Sequence, residues 1–219
     1  MTWSLFPDEP PASGWRVRRI ADVLATLPRE PPDTAIPVLA VDGRSGGGKT
    51  TVAQRLAAHV PGAAVVHTDD VAWHHSFFGW TDLLRAGVLE PARRGAVPVA
   101  FRPPAWEARG RQGAVCVPAA CRLLIVEGVG AGRRELSDRT DALIWVQSDA
   151  TEARRRAIAR DGGDAAAATF WDEWEAEEVP FLAHQRPWDR ADLVVAGTPD
   201  LPHDPDTELV VAPPPRADR

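Results

Sequence analysis

The apolar run "VLAVD" (38–42) leads directly into "GRSGGGKTT" (43–51). A helical pattern, "TTVAQRLAAHV" (50–60), follows and is closed by Pro61 and Gly62. Few folds accommodate that order. A short strand that turns through glycines into the first turn of a helix is a building unit of open parallel α/β sheets. Gly43, Gly48, Lys49 and Thr50 satisfy the G-x-x-x-x-G-K-[ST] spacing. The glycines let backbone N–H groups from Ser45, Gly46, Gly47 and Gly48 turn inward, and the helix N-terminus adds its dipole, which together make an anion cradle.

A cradle of this kind binds nucleotide phosphates. Lys49 is placed to bridge the outer phosphates of ATP, the Thr50 hydroxyl to ligate Mg²⁺, and Thr51 to extend the loop's contacts. A dinucleotide fingerprint is excluded, because Gly46 and Gly48 are followed by Thr51 where a third glycine is required. Lys49 is also the only lysine among 25 basic residues; the other 24 are arginines. A compact ammonium fits a tight phosphate nest where a planar guanidinium does not. The drift toward arginine has spared the one position where shape decides.

The strand–helix rhythm continues. "AAVVH" (63–67), "RLLIVEG" (122–128), "ALIWVQ" (142–147) and "ADLVVAG" (191–197) read as further strands, with "TELVVA" (207–212) as a sixth candidate. Continuous apolar strands alternating with helices predict a parallel sheet of about five strands, covered by helices on both faces: an α/β, P-loop NTPase fold. Val17, Ile20, Val23, Leu24 and Leu27 predict an amphipathic helix over 14–28, stopped at Pro28, with "REPPDTAIP" as a linker. One domain is expected over 15–212, between loose ends at 1–14 and 213–219. Residues 68–118 interrupt the rhythm and read as a substrate-side insertion. It comprises a helix ending at Pro91 and two short strands about a Gly/Arg turn. Residues 149–186 read as lid and covering helices, with Ser148 or Asp149 as N-cap.

Acids stand at the strand ends, where ligands bind in such sheets. Glu127 ends "LLIVEG" in the manner of a Walker B acid, which holds Mg²⁺, in some enzymes through water, or orients the nucleophile. Asp69 and Asp70 follow the second strand, twenty residues after Lys49. Either carboxylate can accept a proton from an attacking hydroxyl, with Asp69 the first choice and Asp70 the second. His67 reads as a strand end. Adjacent His74 and His75 cannot share a helical face and read as solvent-facing.

"EARRRAIARDGG" puts Arg156 and Arg160 on one helical face, where converging guanidiniums stabilise a transferring phosphoryl group. Gly162 and Gly163 offer a hinge beside them. Trp73, Phe77, Phe78 and Trp80 cluster just after Asp69, and Trp73 and Trp80 are candidates for stacking on a flat substrate. Phe170, Trp174 and Phe181 recur at helical spacing and read as core.

A net charge of −6 argues against general nucleic-acid binding. Cys116 and Cys121 have no partners at zinc spacing and read as reduced thiols in or near the core. No apolar run reaches the roughly 18 residues of a membrane span, and no leader pattern opens the chain, so a cytoplasmic, membrane-independent protein is expected. The residues leave homo-oligomerisation open.

The loop "GRSGGGKTT", the post-strand "TDD", "LLIVEGVG" and "RRRAIARD" together resemble the uridine kinase-like family of P-loop nucleoside kinases, over about residues 36–197. The likeness is to kinase-like members in which an Asp-Asp pair leads into a Trp-containing loop. It implies an ATP-dependent kinase that transfers the γ-phosphoryl group to a small-molecule hydroxyl, with a nucleoside as acceptor. By the same resemblance Lys49 and Thr50 handle ATP and Mg²⁺, Asp69 is the base, Arg156 and Arg160 belong to the lid, and "AGTPD" (196–200) lies near the adenine. "DDVAW" stands where the family has an Asp-Ser-Phe-Tyr type sequence, and "DGGDAAAAT" where it has Arg-Gly-Arg. The competing reading is a P-loop ATPase, nucleotide switch or binding module with no small-molecule acceptor. The absence of asparagine removes the N-K-x-D guanine signature from it.

Overall fold

A computed structural model describes residues 3–27 and 35–215; Pro28, most of the expected linker and residues 216–219 lie outside the described residues. The chain runs β1 (Arg16–Arg19), α1 (Ile20–Thr26), β2 (Val38–Gly43), α2 (Lys49–Ala58), β3 (Ala63–His67) and α3 (Thr68–Ala72). The insertion follows as α4 (Thr81–Leu84), a π-helical turn (Arg85–Leu89), α5 (Glu90–Arg93), β4 (Val99–Phe101), α6 (Pro104–Ala108) and β5 (Val115–Val117). The sheet resumes with β6 (Leu123–Glu127) and β7 (Ala142–Gln147). After these come α7 (Ala150–Arg160), α8 (Ala165–Gln185), β8 (Leu193–Ala196) and β9 (Glu208–Ala212).

The main sheet has seven strands in the order β1-β9-β8-β7-β2-β6-β3. Its middle, β8-β7-β2-β6-β3, is parallel and contains the five expected strands. β9 and β1 add an antiparallel edge. The chain leaves central β2 for β3, on the far side of β6, while β7 and β8 lie on the other side. The loop after β2 therefore sits at the switch point where α/β sheets bind ligands.

Alternation along β2 divides the core. Leu39 and Val41 face α1 and α2, meeting Ile20, Val23, Val52 and Leu56. Val38 and Ala40 face the insertion and α8, meeting Trp80, Leu84, Leu89 and Leu182. Burying each of these large side chains contributes about 1.5–3 kcal/mol, so both layers are needed to hold the central strand flat between them.

Several expectations change. The helix expected over 14–28 begins only at Ile20. Residues 16–19 are instead extended and pair with the free edge of β9, Val17 opposite Val210. The helical stripe was carried by Ile20, Val23, Leu24 and Leu27, all buried. Arg16, Arg18 and Arg19 suit an edge strand, where charge discourages further pairing. Described residues of the expected loose N-terminus pack against the body: Phe6, Glu9 and Ala12 are buried. Gln147 Nε2 and the Trp145 indole both donate to Glu9 at 2.7 Å, and the Ala12 N–H donates to Gln147. Pro91 does not end its helix. The π turn precedes it and the proline sits in the first turn of α5, where no intrahelical N–H is required. The two short insertion strands form as a hairpin, with α6 inside the expected turn. Cys116 points outward from β5, while Cys121 is half-buried; both are free thiols. Among the described residues no helix is long and apolar enough to cross a membrane.

Candidate functional site

Gly43 ends β2, and the loop 44–48 curls back so that Lys49 opens α2. Gly46 and Gly48 adopt φ of 71° and 96°, left-handed values that side chains rarely take. A Cβ on Gly46 would also lie 2.0 Å from the Ala153 carbonyl oxygen of α7. The cradle is thus closed tightly from outside. Lys49 is buried, and its Nζ donates to the Arg44 carbonyl at 3.0 Å. Arg44 is itself buried, stacked over Phe6 at 4.0 Å. Behind the loop the Asp42 carboxylate accepts N–H bonds from Gly43, Gly130 and Gly132 at 2.7–2.9 Å. Complete burial nevertheless pushes its pKa up to about 6.

A cavity of about 1240 Å³ opens over this loop. Ser45, Gly46, Gly48, Lys49, Thr50 and Thr51 form its donor end. Asp69 and Glu127 reach it from the carboxyl ends of β3 and β6, and Arg156 and Arg160 from one face of α7. Such a volume exceeds the roughly 300–1,000 Å³ that holds one drug-sized ligand, leaving room for a nucleotide and a second molecule.

The acids of this cavity are coupled. His67 and Glu127 are register partners on adjacent parallel strands, and His67 Nδ1 lies 2.6 Å from Glu127 Oε2. Burial pushes the Glu127 carboxyl up, but the His67 hydrogen bond, the Lys49 charge and the Thr50 hydroxyl outweigh it and hold it below the ordinary range. The same hydrogen bond raises the His67 imidazole against its burial. Asp69 is raised by burial first. Lys49 and Arg160 pull it back, while the Glu127 charge adds to the rise.

Asp70 is turned away. Its carboxylate is 2.5 Å from Arg111 Nη2, its carbonyl accepts the Trp106 indole N–H at 2.8 Å, and it does not line the cavity. One residue's rotation along α3 sends neighbouring side chains about 100° apart, so only one of the pair can face the loop. Trp80 is likewise outside: it is 1% exposed, its indole donates to the Phe77 carbonyl, and the Arg133 guanidinium lies 3.9 Å above it. Its role is packing. Trp73 does line the cavity.

Sequence reading missed three contributions. His67 read as a strand end; parallel register with Glu127 is what pairs them. Glu178, buried in α8, accepts the Ser45 N–H at 2.7 Å, a contact across 133 residues that no local pattern signals. Phe170, expected in the core, is exposed and faces the cavity instead, while Trp174 packs against the core as expected and also lines the cavity, together with Phe77 and Trp171. Helical spacing marks a shared face but does not say whether protein or ligand covers it. Of the arginines on α7, Arg154 is tied to Asp172 and Glu175, and Arg155 to Glu152. Arg156 binds Glu152 and the Gly197 carbonyl, which brings the 196–200 loop against the phosphate loop.

The donor set fits Mg²⁺ and a nucleotide. Thr50 and Glu127 offer hard oxygens to the same cavity, and Lys49 stands on a carbonyl that any phosphate oxygen could replace.

Among solved structures the chain is similar to a provisionally named fructose transport system kinase from Silicibacter sp. TM1040. The two are 20% identical over 76% of this chain and 92% of that one, with a TM-score of 0.59. It is also similar to a provisionally named uridine kinase from Bacillus stearothermophilus, 20% identical over 80% and 94% of the two chains, with a TM-score of 0.52. The fold is that of the P-loop kinases. No protein-family model matches the chain, and no curated protein sequence does. Identity of 20% speaks to the P-loop kinase fold and not to an acceptor.

Proposed function

We propose that this chain is an ATP- and Mg²⁺-dependent phosphotransferase that moves the γ-phosphoryl group to a hydroxyl of a small molecule. Nucleosides are the first acceptors to try, on the resemblance of its motifs to uridine kinase-like enzymes. The observation that carries this reading is that Lys49, Glu127, Asp69 and Arg160 converge on one cavity at the switch point of the sheet.

Bound MgATP supplies the phosphoryl group and the metal's positive charge. Thr50 and Glu127 would hold the metal, Lys49 and the loop N–H groups would hold the phosphates, and Asp69 would accept the proton of the acceptor hydroxyl. As the new O–P bond forms and the bond to ADP breaks, Arg156 and Arg160 neutralise charge on the equatorial oxygens. Burial suits Asp69 to this work, because a carboxylate raised from its ordinary pKa is a better base.

The test is a panel of nucleosides, nucleotides, sugars and other small alcohols with labelled ATP, scored for ADP release. Acceptor-dependent release is the expected outcome. Release independent of every acceptor would assign the chain to the ATPases.

A further inference from the structure

The half of the cavity away from the phosphate loop is walled by rings. Trp73 and Phe77 come from the loop after α3, and Phe170, Trp171 and Trp174 from α8. Phe77 and Phe170 are the two large hydrophobic side chains left exposed among the described residues, 39% and 43%. Both border this chamber, each with one edge against a tryptophan and the rest of its ring left open among the described residues.

The wall is braced. Trp73 is backed by the Arg111 guanidinium, 5.1 Å from its ring, and Arg111 lies 3.6 Å over Trp106 and is paired with Asp70. Trp174 packs against Phe77 and Phe78, and Phe78 stacks on Phe181 at 4.0 Å. Rings held from behind in this way present a preformed surface, which favours a rigid, flat guest.

Polar readout on the same wall is sparse. The Trp171 indole donates to Asp161, which is also paired with Arg160. Ser76 Oγ accepts the Gly79 N–H, and His75 faces the Gly79 carbonyl. The Trp174 indole nitrogen is sealed from solvent. His74, the Trp73 indole, the Ser76 hydroxyl proton and the second ring nitrogen of His75 keep hydrogen-bonding capacity, and all four belong to the loop after α3 rather than to the α8 rings. Against the face made by Phe170, Trp171 and Trp174, a sugar diol or the edge of a polar base finds no free partner on the rings, which is costly.

From this we infer that the chamber selects its acceptor by stacking and apolar contact: an uncharged alcohol on a flat, apolar aromatic body, with no requirement for a sugar. The inference rests on the phosphotransferase reading for the direction in which the hydroxyl points, toward Asp69. It departs from the nucleoside expectation for the part of the molecule that does not react.

Naphthylethanol, uridine and ribose serve as probes, with binding followed by quenching of tryptophan fluorescence and by calorimetry. Phe77→Ser and Phe170→Ser remove exposed rings and leave the core intact. Naphthylethanol is expected to bind at least tenfold more tightly than ribose or uridine. Each variant should weaken that binding by about tenfold while leaving ATP binding unchanged. Tighter binding of uridine or ribose than of naphthylethanol, or naphthylethanol binding indifferent to both substitutions, would overturn the inference. Ring-dependent naphthylethanol binding without phosphorylation of any alcohol supports the chamber assignment and tells against the kinase reading alone.

Discussion

His67 Nδ1 and Glu127 Oε2 meet at 2.6 Å across two parallel strands, at the floor of the cavity over the phosphate loop. The imidazole fixes one carboxylate oxygen of Glu127, a residue that lines the cavity beside Lys49 and Thr50. Removing it in His67→Ala frees the carboxylate to rotate and raises its pKa. Partners that orient metal-binding carboxylates are typically worth about 10–100-fold in metal affinity. A loss of that size is expected in Mg²⁺ titrations of ATP binding, with His67→Gln recovering part of it.

The two neighbouring aspartates should separate cleanly. Asp69→Asn is expected to cut turnover by about 10²–10⁴-fold with ATP affinity retained, since it removes the proton acceptor only. Asp70→Asn breaks the pair with Arg111 at the protein surface, worth about 0–1 kcal/mol, and should leave turnover within a few-fold. The reverse ranking would reassign the base.

Lys49→Ala should abolish ATP-dependent phosphorylation while circular dichroism and melting remain close to the parent. Its ammonium bonds only the Arg44 carbonyl, which also accepts the Gly47 N–H and so keeps a partner. Retained turnover in this variant would overturn the assigned donor site.

Asp42 makes stability depend on pH in an unusual direction. Its folded pKa, about 6, lies above the ordinary 3.8, so the folded state binds the proton more tightly than the unfolded one. Its contribution therefore favours folding as pH falls from about 6 toward 4, and penalises folding above 6. The span corresponds to about 3 kcal/mol at most. Denaturant melts of the parent and Asp42→Asn, compared at pH 7 and pH 4.5, should show the parent gaining relative to the variant on acidification.

Phe6→Ala tests the packed N-terminal segment. The ring is buried and lies under the Arg44 guanidinium. Burying such a side chain is worth about 1.5–3 kcal/mol, and a loss of that order in chemical denaturation is expected. A loss below a few tenths of a kcal/mol would mean that the segment contributes little to the folded state.

Much of the fold was legible because the signals were local. β2, the loop and α2 are contiguous, and the five parallel strands are apolar runs bounded by turn residues. β1 was not legible: "RVRR" carries no strand pattern of its own and is extended only because β9 presents an open edge. At the site, residues on strand ends and on the α7 face could be placed from periodicity. The orientation of Asp70, the burial of Trp80 and the contact of Glu178 with Ser45 depend on distant partners. Arg111, Arg133 and the loop itself supply them, and none stands near in sequence.

α8 carries Trp171 and Trp174 on the ring wall and Glu178 on the Ser45 N–H, all along one stiff rod. At 1.5 Å per residue, the first and last of these lie about 10 Å apart along the axis. The helix that presents Trp171 and Trp174 to the chamber also anchors the Ser45 peptide of the phosphate loop through Glu178. One helix thus serves both ends of the cavity, and its axis sets the spacing between the ring wall and the phosphate loop.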